Sequence, residues 1–138
     1  MREKPLILVV DDEDDFREIT CTRLRTSGFD CVEARGEKEA LEQATLLQPD
    51  LVLMDIHMPG ESGTDAALAL RQNLKTRHLR IVFLTSLRHP WPRLAGNNKG
   101  VAEELGVEEF FDKAKDMESL PQKIAALLGR GGFVPARA

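Results

Sequence analysis

Polar residues capable of chemistry stand where short apolar runs end. Leu6–Val10 runs into Asp11-Asp12, Leu51–Met54 into Asp55, Ile81–Leu84 into Thr85-Ser86, and Phe110-Phe111 into Asp112-Lys113. Each has an ordinary reading by itself. The acid run Asp11–Asp15 suits the positive end of a helix dipole, and a single threonine or lysine beside a loop is usually structural. Together they define a different chemistry. Two carboxylates about 4 Å apart repel by roughly 4 kcal/mol at an effective dielectric of 20, so Asp11, Asp12 and Asp55 in one place require a cation. Oxygen donors alone select a hard ion, of which Mg²⁺ characteristically combines one or two carboxylates with waters and phosphate oxygens. A carboxylate beside such an ion is a nucleophile that can accept a phosphoryl group. Lys113 and the Thr85 hydroxyl supply the groups to bind the transferred oxygens.

The elements that must position these residues follow from periodicity. Leu6–Val10, Phe29–Ala34, Leu51–Met54, Ile81–Leu84 and Phe110-Phe111 read as five strands, several apolar throughout as buried parallel strands are. Between them Asp14–Ser27, Glu37–Leu47 and Ser62 or Thr64 to Leu74 have helical spacing, and Leu120, Ile124, Leu127 and Leu128 stripe a final helix. Gly28 sits where a helix C-terminal glycine belongs, and Pro49 stops the second helix. Strand and helix alternation predicts an α/β fold, a five-stranded parallel sheet, doubly wound, with its ligand site beyond the carboxyl ends of the strands. Leu87–Gly100, with Pro90, Pro92, Gly96 and Gly100, shows little periodicity and reads as loop until about Val101–Leu105.

With 138 residues, 42% apolar and 30% charged, the chain suits one globular domain. We read residues 1–128 as that domain and 129–138 as a flexible tail or linker stub. A net charge of −4 without a dense basic cluster argues against nucleic-acid binding by this chain alone. No apolar run approaches the roughly 20 residues of a membrane span, and the N-terminus lacks the pattern of a signal peptide, so a cytoplasmic location is expected. Cys21 and Cys31 are expected to be free, partly buried thiols.

The acid pair after the first strand, the stretch Leu51-Val52-Leu53-Met54-Asp55-Ile56-His57-Met58-Pro59-Gly60, Gly63, Thr85-Ser86 and Phe110-Phe111-Asp112-Lys113 together resemble the receiver domains of two-component response regulators, over about residues 5–128. That resemblance implies a flavodoxin-like fold of the CheY-like superfamily and a phosphorylation switch that is not an enzyme. It makes Asp55 the phosphoacceptor and assigns Mg²⁺ to Asp12, Asp55 and the backbone carbonyl of His57, with Asp11 acting directly or through a water. Thr85 and Lys113 would sense the phosphoryl group. Phe110 stands at the family's aromatic switch position, though a plain core aromatic is an equal reading. A histidine kinase or phosphotransfer protein would be the donor. A downstream protein, a fused output domain or a second copy of the chain would receive the signal.

The sequence departs from the family twice. Ala114 follows Lys113 where a proline, often joined by a cis peptide, is usual. A cis bond before a non-proline residue costs about 3–4 kcal/mol, so Lys113–Ala114 is expected to be trans, which would set the ammonium further from Asp55. The segment from Thr85 to Gly106 is longer than usual, an atypical region after the fourth strand. There Trp91 either packs under a loop or meets a partner, on a remodelled output surface. These departures support an alternative, a pseudo-receiver that signals through protein contacts without phosphate. An aspartyl-phosphate phosphatase is disfavoured because His57 stands where those enzymes place a second acid.

Overall fold

The computed structural model describes residues 4–58, 61–85 and 106–129. In chain order these form β1 (Leu6–Val10), α1 (Asp14–Thr26), β2 (Asp30–Ala34), α2 (Glu37–Leu47), β3 (Leu51–Asp55), β4 (His57–Met58), β5 (Glu61–Ser62), α3 (Gly63–Gln72), β6 (Ile81–Thr85), β7 (Val107–Asp112) and α4 (Leu120–Leu128). Five strands make one sheet in the order β2-β1-β3-β6-β7, every ladder parallel, while β4 and β5 pair antiparallel as a small ribbon.

Alternation along the strands divides the core into two layers. Ile7 and Val9 of β1 pack with Leu24 of α1 and with Leu120 and Ile124 of α4. Leu8 and Val10 face the other way, onto Ala40 and Ala44 of α2 and Ala66, Ala67 and Leu70 of α3. β1, β3 and β6 are buried along their whole length, as strands covered on both faces must be. The end of α1 is set by Gly28 at φ +99°. Its N–H donates to the Arg25 carbonyl and that of Phe29 to the Leu24 carbonyl, while Phe29 and Leu24 enter the same apolar layer. This paired closure requires the left-handed glycine.

The expected fold class is the one observed, with differences at element ends. β7 begins at Val107, three residues before the expected Phe110, because the acids of Val107-Glu108-Glu109 hide a strand at the sheet edge, where one flank meets solvent. The third helix stops at Gln72, short of Leu74, and the β4–β5 ribbon was not anticipated. The atypical region after Thr85, with Trp91 and the Val101–Leu105 stretch, lies outside the described residues, as does the tail beyond Gly129.

The expectation of two free thiols is corrected: Cys21 of α1 and Cys31 of β2 form a disulfide. Helix α1 lies directly over its following strand, which brings these Cα atoms to 5.6 Å, within disulfide reach. Sequence spacing alone carries no such proximity. The bond joins cysteines ten positions apart. On chain-entropy grounds its reduction is expected to lower stability by roughly 2.5 kcal/mol. Urea unfolding with and without reductant, compared with the Cys31→Ser protein, measures this.

Candidate functional site

β1 lies between β2 and β3, so the chain's winding reverses there and leaves a crevice beyond the strand ends. Strand register delivers the sequence-predicted residues to that edge. Val10 pairs with Met54, Asp55 with Leu84, and Thr85 with Asp112. Asp11 follows, its N–H donating to the Ala34 carbonyl at 3.1 Å, and the Lys113 N–H donates to the Thr85 carbonyl at 2.8 Å.

Asp11 is fully buried. Its Oδ1 accepts the Glu13 N–H at 2.9 Å, and its Oδ2 lies 2.6 Å from Lys113 Nζ. Asp55 Oδ2 is 3.3 Å from the same ammonium. Asp12, partly exposed, completes a trio in which one carboxylate oxygen from each residue lies within 4.8 Å of the other two. Lys113 is buried too, its side chain 7% exposed, with its ammonium 4.1 Å from the centre of the Phe16 ring and 3.5 Å from Glu13 Oε1. Burial works against the charged amine, but contact with Asp11 and the charges of Asp55 and Asp11 outweigh it and hold its pKa above the usual lysine value.

Lys113 Nζ and Asp11 Oδ2 are at ion-pair distance, yet among the described residues neither makes an aligned hydrogen bond. Buried charges normally have such bonds. Among the described residues one ammonium stands against the carboxylates of Asp11, Asp12 and Asp55, with Glu13 at the rim, which leaves the pocket net negative with an oxygen-only donor set. A small divalent ion of hard character fits that combination.

The remaining expected residues fall around this centre. Thr85 ends β6, 5% exposed. His57 stands on β4, two residues past Asp55. Phe110 is half-buried, its ring 5.8 Å from that of Phe83. It therefore packs on the core from the rim, a placement compatible with both readings of it.

Lys113–Ala114 is trans, as expected, since no cis peptide occurs among the described residues. The ammonium nonetheless reaches Asp55, because carboxylates organise the turn. Asp112 Oδ1 accepts the N–H groups of Ala114 and Lys115 at 2.6 and 3.0 Å. Asp116 Oδ2 accepts the Asp112 N–H at 2.6 Å, and its other oxygen pairs with Lys123 at 3.1 Å. A proline at 114 would have no N–H to give. The Asp112 N–H, with Lys123 and Lys115 assisting against partial burial, holds the Asp116 carboxyl below its ordinary pKa. A depressed folded pKa contributes stability above the unfolded value, near pH 4, which is lost as pH falls through the folded value. Asp116→Asn is therefore expected to cost about 1 kcal/mol at neutral pH. That difference should vanish in acid, as urea midpoints across the pH range would record.

Sequence reasoning did not single out Glu13, Phe16 or Arg17 as site residues. Glu13 was one acid in a run, Phe16 one apolar position of a helix, and Arg17 was not considered. The available signal was an arginine three residues after Asp14 in an otherwise acidic helix start.

A doubly wound parallel sheet with an acid pocket and a buried lysine at its switch point defines a class of α/β domain suited to phosphoryl chemistry. The sequence matches the response regulator receiver domain over residues 7–125, and the chain belongs to that family. It is 31% identical over 126 residues to the phosphate regulon transcriptional regulatory protein PhoB of Pseudomonas aeruginosa, covering 91% of this chain and 52% of that protein. The chain thus spans about half the length of the curated relatives it matches. Among solved structures, chemotaxis protein CheY4 of Vibrio cholerae superposes with a TM-score of 0.77 at 23% identity, covering 89% of this chain and 98% of that one. Response regulator TrrA of Thermotoga maritima, in complex with Mg²⁺ and BeF, superposes at 0.72 with 30% identity and the same coverage.

Proposed function

We propose that this receiver domain is a phosphorylation switch that accepts a phosphoryl group on Asp55 from a histidine kinase or phosphotransfer protein, in a Mg²⁺-dependent reaction. The observation that carries this reading is the buried Asp55 carboxylate sharing the Lys113 ammonium with Asp11, with Asp12 alongside. Asp11, Asp12, Asp55 and the backbone carbonyl of His57 would hold Mg²⁺, which offsets charge on the transferred oxygens when bound. An Asp55 oxygen attacks phosphorus, a P–O bond forms, the P–N bond to the donor imidazole breaks, and that imidazole takes a proton from solvent. Lys113 neutralises one phosphoryl oxygen and the Thr85 hydroxyl donates to another. Movement of Thr85 toward that oxygen opens room behind it, and Phe110 follows as the switch aromatic. The covalent product stays on the chain's own side chain, so the protein is not an enzyme in the ordinary sense.

TrrA, 30% identical, was solved in complex with Mg²⁺ and BeF, which supports Mg²⁺ binding by this chain as well. Residues 1–128 form the receiver in this reading and 129–138 a flexible tail or linker stub. The output is a downstream protein, a fused domain or a second copy of the chain. Among the described residues no helix is long and apolar enough to cross a membrane. We assign the chain to the cytoplasm. The buried Cys21–Cys31 bond pulls the other way, and thiol counting on protein alkylated at lysis decides between a dithiol and a disulfide in the cell.

Incubation with phosphoramidate and Mg²⁺, followed by intact mass, tests the function. One phosphoryl group per chain, lost with chelator present, is the expected result. No uptake under any condition would leave the pseudo-receiver reading in its place.

A further inference from the structure

We infer that Arg17 is a positioning residue for the divalent-cation site, its guanidinium fixing the peptide that joins Asp11 to Asp12. Arg17 is 8% exposed, on the inward face of α1. Its Nη1 donates to the Asp11 carbonyl at 2.7 Å, its Nε to Glu33 Oε1 of β2 at 3.1 Å, and its Nη2 to Asp14 Oδ1 at 2.5 Å. A pair with Asp14 alone, three residues away on the same helix, would contribute little. The bond to Asp11 is different in kind. That carbonyl lies past the last paired residue of β1. Rotation of its peptide would swing Asp12 relative to Asp11 and Asp55.

The acids of this loop are therefore held from three sides. The Ala34 carbonyl fixes the Asp11 N–H, the Glu13 N–H fixes the Asp11 side chain, and Arg17 fixes the Asp11 carbonyl. Glu33 and Asp14 in turn orient the guanidinium, tying the loop to the sheet and to the first turn of α1. A rigid planar fork can serve three acceptors in different elements at once, whereas a lysine ammonium at the same site cannot span them. Groups that orient metal ligands commonly contribute 10- to 100-fold in metal affinity. The inference rests on the cation site proposed above and assigns to it a residue that touches neither ion nor phosphoryl group.

Calorimetric titration of Mg²⁺, and of Mn²⁺ as a spectroscopic probe, into the whole chain and its Arg17→Met and Arg17→Lys variants tests this. Arg80→Met is the control. Arg80 donates to the Leu127 carbonyl beside the opposite end of β6, so its loss destabilises the fold away from the site. Arg17→Met is expected to weaken Mg²⁺ about 10- to 100-fold and Arg17→Lys by less, with the Mn²⁺ paramagnetic signature altered. Arg80→Met should keep wild-type affinity even when its Tm falls as far. Should Arg17→Met prove insoluble, the Arg17→Lys affinity decides. Wild-type affinity in both Arg17 variants, or an equal loss in Arg80→Met, overturns the inference while leaving the cation site intact. Failure of the unaltered chain to bind either ion overturns the site itself.

Discussion

Asp55→Asn is expected to take up no phosphoryl group from phosphoramidate, while its metal-free form becomes more stable than the wild type by about 1–2 kcal/mol. The two effects have opposite signs because the acceptor is badly placed for stability. Asp55 is 2% exposed, and among the described residues its ammonium neighbour is Lys113 at 3.3 Å, shared with Asp11. Two further carboxylates have oxygens within 4.8 Å of its own. At an effective dielectric of 20 each such repulsion is about 3–4 kcal/mol, so the two together exceed the attraction to Lys113. Asparagine keeps the shape and one carbonyl acceptor while removing the charge. A neutral amide is also no nucleophile toward phosphorus, so uptake should fall to background. Intact mass after phosphodonor treatment and urea unfolding in chelator measure the two sides. Equal labelling of the variant would place the acceptor elsewhere, and a less stable variant would mean that the pocket is not electrostatically overcrowded.

How much of this was legible in sequence depended on whether a residue's role is local. The buried strands could be read because Leu6–Val10, Leu51–Met54 and Ile81–Leu84 are apolar without interruption and end abruptly in acids or hydroxyls. The pocket could be read because parallel strands bring their carboxyl ends to one edge, so Asp11, Asp55, Thr85 and Lys113 had to assemble once the strands were right. Contacts that depend on how a helix rotates over the sheet were not legible. Cys21 and Cys31 meet because α1 lies over β2, and Arg17 reaches the Asp11 carbonyl for the same reason. Nor was the Lys113 turn. The missing proline suggested a displaced ammonium, whereas Asp112 and Asp116 hold the turn through backbone N–H groups that no periodicity reveals. The start of β7 was obscured because an edge strand tolerates acids that a central strand would not.

Lys113→Met separates the structural share of the site from its chemical one. Removing the ammonium leaves Asp11, fully buried, and Asp55, nearly so, without their shared counter-charge. Breaking a buried ion pair from one side typically costs 3–5 kcal/mol, and the metal-free variant is expected to lose about that much. Mg²⁺ should restore a large part of it. The ammonium now sits 2.6 Å from Asp11 Oδ2 and repels an incoming cation, so the variant should bind Mg²⁺ more tightly than the wild type. An ion at 100 times its dissociation constant adds about 2.7 kcal/mol to the folded state. Phosphoryl uptake should not recover with it. A positive donor aimed at the transferred oxygens is worth roughly 10²- to 10³-fold in rate, and the methionine thioether cannot supply it. The expected signature is a variant whose stability approaches wild type in saturating Mg²⁺ while its labelling rate stays at least about a hundredfold lower. If Mg²⁺ leaves the stability defect untouched, the ion does not sit among these acids. If labelling proceeds at the wild-type rate, Lys113 supports the fold and takes no part in the transfer.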